Sequence, residues 1–124
     1  MNRWDNFDEA LDWIYSFTNL ERDQEKRKDK KSFLLEPISK MNQYFHNPDK
    51  KFKIIHVAGS KGKGTVSYLI AKYFQKLGYK VGLYTSPHLF DVTERIKIND
   101  VNISEKDFLE ILSRIYDYVI KLEK

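Results

Sequence analysis

A glycine-rich stretch separates an apolar run from an amphipathic segment, and this order leaves few folds open to the chain. Residues 52–58 are almost continuously apolar and rich in β-branched side chains, which is typical of a strand covered on both faces. The run ends at Gly59, and an apolar stripe at helical spacing then extends over residues 66–77 before Gly78. Residues 81–85 have the pattern of a second short strand. This order predicts a right-handed βαβ unit with parallel strands.

Two helices are predicted ahead of this unit. Residues 7–17 place apolar side chains at helical spacing behind Asn and Asp residues that can cap a helix. Residues 33–45 predict a second helix, in which Pro37 is tolerable only near the first turn. Between them, residues 21–31 are charged except for one glutamine and lack an apolar face, which favours a solvated loop or frayed helix end over a binding patch.

A hairpin and a last helix are predicted after it. Apolar and polar residues alternate on either side of Asn99 and Asp100, which indicates a two-residue turn, although Asp is a poorer occupant than Gly where φ must be positive. Ser104 and Asp107 resemble a capping box in front of a strongly apolar helix face. On the earlier helix, three aromatic side chains are expected to be core rather than a base-stacking platform: Tyr68, Tyr73 and Phe74.

Composition excludes several classes of function. The 124 residues hold no cysteine, so disulfides, thiolate catalysis and cysteine-ligated metals are excluded. The net charge of +4 is spread over 22 basic and 18 acidic residues, so we expect no nucleic-acid partner. The first twenty residues lack the pattern of a secretory signal, and no window resembles a membrane span. We expect a cytoplasmic protein with no membrane partner.

The glycine-rich stretch has the features of a phosphate-binding loop. A triphosphate requires converging backbone N–H groups, a helix N-terminus and a nearby cation. Glycines 59, 62 and 64 permit such a backbone path, Lys63 supplies the charge, and the Thr65 hydroxyl can lie near a bound Mg²⁺. The strict motif G-x-x-x-x-G-K-[ST] is broken because Gly64 separates Lys63 from Thr65. The alternative is a glycine-rich connection that happens to contain lysines.

Two blocks of sequence resemble one family. The row H-V-A-G-S-K-G-K-G-T at residues 56–65 resembles the P-loop of the Mur ligase superfamily, in particular that of folylpolyglutamate and dihydrofolate synthases, usually H-V-A-G-T-N-G-K-G-S. The rows S-P-H-L at 86–89 and E-R-I-K-I-N at 94–99 resemble the family's S-P-H-L and E-R-I-x-I-N-G elements. The last glycine of that element is Asp100 here. The resemblance extends more weakly upstream to about Phe33.

The resemblance implies a fold and a set of site residues. It implies an α/β fold, with residues 1–124 as the N-terminal part of a P-loop-containing, Mur ligase-like ATP-binding domain and the C-terminal glutamate-binding domain absent. Lys63 would be the catalytic residue and Ser86 a Mg²⁺ ligand, while His88 and Arg95 are candidates for the substrate pocket. The residues alone also allow a plain turn at Ser86, a packed His88 and a salt bridge from Arg95 to Glu94 or another acid. The implied ATP-binding residues are Gly59, Ser60, Lys61, Gly62, Lys63, Gly64 and Thr65.

The implied activity is ATP-dependent amide ligation. With ATP and Mg²⁺ as cofactors, a carboxylate of folate or dihydropteroate is phosphorylated, and the amine of L-glutamate then attacks the acyl phosphate. Family members are several times longer and are expected to be monomers when full length. We therefore expect this chain to be inactive on its own and to expose apolar surface. The alternatives are a stand-alone P-loop nucleotide-binding module or kinase-like NTPase, and a basic interaction protein built on residues 26–31.

Overall fold

The computed structural model describes residues 3–4, 6–17 and 35–122. It divides into two compact units, of which one comprises Met1–Ile54 with Ser113–Lys124 and the other Ile55–Leu112. The charged stretch at 21–31 lies outside the described residues. The helices are α1 (Phe7–Ser16), α2 (Glu36–Tyr44), α3 (Lys63–Lys76) and α4 (Glu105–Leu122), and the strands are β1 (Gly82–Tyr84), β2 (Ile96–Ile98) and β3 (Val101–Asn102). Short 3-10 helices cover Pro48–Lys51 and Val92–Arg95.

The unit that contains α1 has an aromatic core. Asn6 caps α1 as predicted, because its side chain accepts a hydrogen bond of 2.8 Å from the backbone N–H of Glu9. Trp13 packs against Tyr116 of α4, with ring centroids 5.0 Å apart. Tyr118 is 7% exposed and packs against Tyr44, with ring centroids 4.8 Å apart. The predicted helix at 33–45 is described from Glu36 onward, with its proline in the first turn.

The second unit contains α3, the three strands and the first turns of α4. Helix α3 ends in a Schellman motif around Gly78, whose φ is 87°. The N–H of Gly78 donates to the carbonyl of Gln75, and that of Tyr79 donates to the carbonyl of Phe74. The rings of Phe74 and Tyr79 lie 5.7 Å apart, which supplies the apolar contact of this motif. The C-terminal glycine of the helix is therefore confirmed.

The hairpin is confirmed as well. Strands β2 and β3 pair antiparallel, with Ile98 opposite Val101. Asn99 and Asp100 have φ values of 47° and 70°, so both occupy the left-handed conformation that a type I′ turn requires. Ser104 caps α4 as predicted, since the N–H of Asp107 donates to the Ser104 hydroxyl at 3.0 Å, and that hydroxyl donates to the Asp107 carboxylate at 2.7 Å.

The predicted strand at 52–58 and its parallel pairing are not formed. Residues 53–59 carry no strand, and the sheet in the described part of the chain is antiparallel throughout, in the order β1-β2-β3. A central strand is defined by ladder hydrogen bonds to its neighbours, and no described segment pairs with this run. Its apolar side chains consequently lie open: Phe52 is 64%, Ile54 65% and Ile55 56% exposed.

The expectation that Tyr68, Tyr73 and Phe74 of α3 are core was wrong for the two tyrosines, whereas Phe74 is half-buried. Val66, Leu69, Tyr73 and Leu77 are between 46% and 61% exposed, and Tyr68 is 42% exposed. Periodicity identifies the apolar face of a helix but not what covers it. The position of the helix was therefore predicted correctly, but the burial of its apolar face could not be predicted.

None of the helices in the described part of the chain has the length and apolar composition of a membrane span.

Candidate functional site

The glycine-rich segment leads directly into the N-terminus of α3. Gly62 is the N-cap residue and adopts the left-handed conformation, with φ 74° and ψ 3°. Its carbonyl accepts the first intrahelical hydrogen bond, from Val66 at 3.0 Å. In the described part of the chain no side chain caps this helix, and its first turn holds no acidic residue. The first N–H groups and the positive end of the helix dipole are therefore available to an anion.

The glycines serve different purposes along this path. The left-handed φ of Gly62 is a conformation that residues with a Cβ rarely adopt. Gly64 lies in the first helical turn, and a Cβ built on it or on Gly62 meets no described atom within 4 Å. A Cβ on Gly59 would lie 3.9 Å from both the Lys61 carbonyl oxygen and Lys63 Cγ. The backbone thus curls with Gly59 beside the stem of Lys63.

Cationic and hydroxyl side chains surround this helix end. Lys61 and Lys63 are both exposed, as are Ser60 and Thr65. Two ammonium groups beside uncapped helix N–H groups provide the charge and the donors that a polyphosphate needs. The arrangement can bind the phosphates of a nucleotide, and the assignment of residues 59–65 to ATP stays a prediction.

Ser86 lies at the other predicted contact point. It is exposed and follows β1 by two residues, and its peptide bond to Pro87 is cis. Within residues 3–4, 6–17 and 35–122, no group of three or more His, Asp or Glu side chains could hold a metal ion by itself. A hydroxyl ligand suits Mg²⁺, which keeps several waters and takes few protein ligands when phosphate oxygens complete its shell. The hydroxyls of Thr65 and Ser86 are oxygen ligands of the kind that such an ion takes, and this role stays a prediction for each of them.

His88 and Arg95, the two candidates for the substrate pocket, are brought together. Arg95 Nε donates a hydrogen bond of 2.8 Å to His88 Nδ1, and both side chains are half-buried. Because Nδ1 accepts, the proton of the neutral imidazole lies on Nε2. The arginine therefore fixes the orientation of the histidine ring.

Glu94 is a structural residue of this region that the sequence interpretation did not identify. Its carboxylate accepts hydrogen bonds from the backbone N–H groups of Leu89, Phe90 and Asp91, at 3.1, 2.9 and 2.8 Å. Donation from Asp91 and Leu89 lowers the pKa of Glu94 below its ordinary value of 4.5, because these bonds favour the charged form. The signal was present in the spacing Asp-x-x-Glu, which is that of a capping box.

Asp91 completes the same network from the other side. Its carboxylate accepts from the backbone N–H of Thr93 at 2.7 Å and from the Thr93 hydroxyl at 2.6 Å. These bonds lower the pKa of Asp91, the hydroxyl of Thr93 having the largest effect. Residues 86–95, here termed the 86–95 loop, thus form a closely hydrogen-bonded segment in the same compact unit as the glycine-rich segment.

Taken together, these features are those of a partial α/β domain whose glycine-rich segment leads, as in P-loop proteins, into a lysine-flanked helix N-terminus without a side-chain cap among the described residues. The solved folylpolyglutamate synthase of Thermotoga maritima is similar in fold, with a TM-score of 0.78 and 31% identity over 94% of this chain. A solved chain described as an FPGS–AMPPCP–folate complex has a TM-score of 0.76 and 28% identity over 95% of this chain.

Curated sequences agree with the structural matches. A putative folylpolyglutamate synthase of Dictyostelium discoideum is 35% identical over 108 residues, which is 87% of this chain. A dihydrofolate synthase/folylpolyglutamate synthase of Bacillus subtilis is 35% identical over 78 residues, or 63% of this chain. No family model matches. Over the parts of these proteins that it matches, the chain is similar to folylpolyglutamate synthases and dihydrofolate synthases, which confirms the resemblance in its sequence.

The match covers only part of each relative. The chain spans 17% and 18% of the lengths of these two curated relatives and 25% and 27% of the lengths of the two solved chains. Activity, substrates and partners of the whole relatives therefore reach this chain as proposals.

Proposed function

We propose that this chain supplies the Mg²⁺–ATP site of an ATP-dependent carboxylate–amine ligase that adds glutamate to folates. The observation that carries the proposal is the N-terminus of α3, which begins at Gly62 in the left-handed conformation, is uncapped in the described part of the chain and is flanked by Lys61 and Lys63. The similar solved chain that holds AMPPCP and folate supports ATP as the nucleotide and folate as the substrate class.

The residues of this chain would act mainly by binding and positioning. The N–H groups at the start of α3 and the ammonium of Lys63 would stabilise negative charge on the phosphoryl group as it moves to the substrate carboxylate. Transfer forms an acyl phosphate and releases ADP, and attack by the glutamate amine then releases phosphate. A bound Mg²⁺ would neutralise phosphate charge, with the hydroxyls of Thr65 and Ser86 as the protein groups that can hold it.

The 86–95 loop would face the substrate in this proposal. Arg95 carries a permanent positive charge and holds His88 by a hydrogen bond of 2.8 Å, so the pair can orient an anionic group of a folate or dihydropteroate. We place the activity in a cytoplasmic, monomeric full-length protein. Because the chain spans a minor part of its relatives, we propose that the 124 residues bind nucleotide without catalysing ligation.

Calorimetric titration with Mg²⁺–ATP tests the nucleotide site. Lys63→Ala should weaken binding by about tenfold or more, because it removes a charged partner of the phosphates. Lys106→Ala is the matched control, since Lys106 is an exposed lysine on α4 and should not matter. Absence of binding by the unmodified chain, or equal binding by Lys63→Ala, would overturn the proposal.

A second assay separates the ligase proposal from its alternative. Release of ADP is measured with the 124-residue chain in the presence and absence of folate and glutamate. We expect no substrate-dependent release. Glutamate-dependent turnover would contradict the proposal that the chain is inactive alone, and release that needs neither substrate would favour a stand-alone NTPase.

A further inference from the structure

We propose that Glu94 is a positioning residue whose carboxylate holds the 86–95 loop in one conformation and thereby fixes the hydroxyl of Ser86 for the metal–nucleotide complex. This inference rests on the proposed function, because the placement of Ser86 has a consequence only if the chain binds a magnesium nucleotide.

The geometry around the carboxylate is the first argument. Three successive backbone N–H groups converge on it, with Leu89 donating to Oε2 and both Phe90 and Asp91 donating to Oε1. Hydrogen bonds to an ionised acceptor are stronger than neutral ones, and three of them on adjacent residues restrict the backbone at each position. The Glu94 side chain therefore restrains the backbone of three successive residues of the loop.

The exposure of the loop tip is the second argument. Leu89 is 85% exposed and Phe90 is 92% exposed, so neither side chain contributes apolar burial that could order the loop. A segment with little buried apolar surface depends on its hydrogen bonds for order. The loop should consequently lose its fixed conformation when the carboxylate is removed.

The anchoring of residues on both sides of Ser86 is the third argument. The N–H of Thr85 donates to the Arg95 carbonyl at 3.0 Å, and Arg95 Nε donates to His88 Nδ1 at 2.8 Å. Ser86 thus lies between Thr85 and His88, which are both hydrogen-bonded to Arg95, the residue that follows Glu94. Loss of the Glu94 bonds would loosen the short helix Val92–Arg95 from the loop. Arg95 would then no longer hold Thr85 and His88 in fixed positions on either side of Ser86.

Hydrogen exchange of the full 124-residue chain, followed by NMR, tests the structural part. Glu94→Gln keeps the size of the side chain but removes its charge and one acceptor oxygen. We expect amide exchange at Leu89, Phe90 and Asp91 to accelerate by about tenfold or more. The Ile103 amide, which donates to the Ile96 carbonyl at 2.8 Å in the hairpin, should be unaffected. Glu110→Gln on an exposed face of α4 is the matched control.

Magnesium dependence tests the positioning role, which a purely structural residue would not alter selectively. Glu94→Gln should raise the Mg²⁺ concentration needed for half-maximal tightening of ATP binding by about tenfold, as is common when the support of a metal ligand is lost. Binding of ATP without divalent cations should not change. Adding Glu94→Gln to Ser86→Ala should have no further effect on the Mg²⁺ dependence, because the ligand that it positions is already gone.

Each outcome is decisive. Unchanged exchange in Glu94→Gln would overturn the role of Glu94 in ordering the loop. Faster exchange with an unchanged Mg²⁺ dependence would overturn the proposal that Glu94 positions Ser86, but not its role in ordering the loop. Additive effects of Glu94→Gln and Ser86→Ala on the Mg²⁺ dependence would have the same meaning. Failure of the unmodified chain to bind Mg²⁺–ATP would instead overturn the proposed function, whatever the exchange rates show.

Discussion

Lys72 of α3 forms an ion pair with Asp100 in the turn between β2 and β3. The hydrogen bond to Asp100 raises the pKa of Lys72, and the ammonium also lies 5.3 Å from the centroid of the Tyr68 ring. The pair joins the helix that begins at the candidate phosphate site to the hairpin. It also gives a role to Asp100, which lies at the position of the last glycine in the family's E-R-I-x-I-N-G element.

Substitutions at Asp100 should separate the backbone from the ion pair. Asp100→Gly removes the charge but suits the φ of 70°, whereas Asp100→Ala removes the charge and keeps an unfavourable conformation. Asp100→Ala should therefore be less stable than Asp100→Gly by about 1 kcal/mol. Urea unfolding measures the difference. Lys72→Ala is the control for the pair itself, and equal stabilities of the two Asp100 variants would contradict strain in this turn.

Gly62→Ala tests the conformation at the start of α3. The new methyl group would meet no described atom within 4 Å, so any effect comes from the backbone φ of 74°. We expect a loss of about 1 kcal/mol in the free energy of unfolding, because alanine is disfavoured in the left-handed region. Nucleotide binding should also weaken, since the helix N-terminus would shift. Unchanged stability would show that the residue does not adopt this conformation in solution.

Gly64→Ala should give the opposite result for stability. Gly64 is helical and has free space around it, so alanine should stabilise α3 by up to about 1 kcal/mol through its higher helix propensity. The added methyl group lies in the first turn, where the phosphates are expected to approach. The midpoint temperature of thermal unfolding should therefore rise, while the affinity for Mg²⁺–ATP should fall. If the variant gains stability and binds Mg²⁺–ATP as tightly as the unmodified chain, the phosphates do not bind at the first turn of α3.

Local signals in the sequence predicted local structure well. Asn6 as a helix cap, Gly78 as a helix end and Asn99–Asp100 as a turn each depend on a few neighbouring residues, and each is present in the structure. The failures concern burial and pairing over longer distances. The run at 53–59 has the composition of a central strand, but a strand forms only where neighbours complete its ladder, and composition does not report them.

The candidate site divides in the same way. The glycine-rich segment was predicted because its spacing dictates a helix N-terminus and a bend that precedes it. Glu94 accepts hydrogen bonds from three backbone N–H groups that lie three to five residues before it. The Asp-x-x-Glu spacing indicated the bond from Asp91, whereas the bonds from Leu89 and Phe90 depend on a loop conformation that the spacing does not report. Arg95 and His88 were each predicted as candidates for the substrate pocket, but the hydrogen bond between them could be identified only from the geometry.

The lowered pKa of Glu94 predicts a specific dependence on pH. The folded-state pKa lies below the ordinary value of 4.5, so the stabilisation is fully present above that value and is lost as the pH falls through the folded pKa. The difference in unfolding free energy between the unmodified chain and Glu94→Gln should be constant near neutral pH and shrink in acid. Urea unfolding across this range measures it. A difference that persists at the acid end would assign the effect to shape rather than charge.

The exposed face of α3 gives a prediction that distinguishes surface from core. Leu69 is 61% exposed, whereas Leu112 of α4, in the same compact unit, is 7% exposed. Leu112→Ala should lower the free energy of unfolding by about 2 to 5 kcal/mol, because it leaves a cavity. Leu69→Ala should change it by no more than about 0.5 kcal/mol, because the side chain has few contacts to lose. Urea unfolding of both variants at low protein concentration provides the comparison. A comparable loss in both variants would mean that the apolar stripe of α3 is covered in solution.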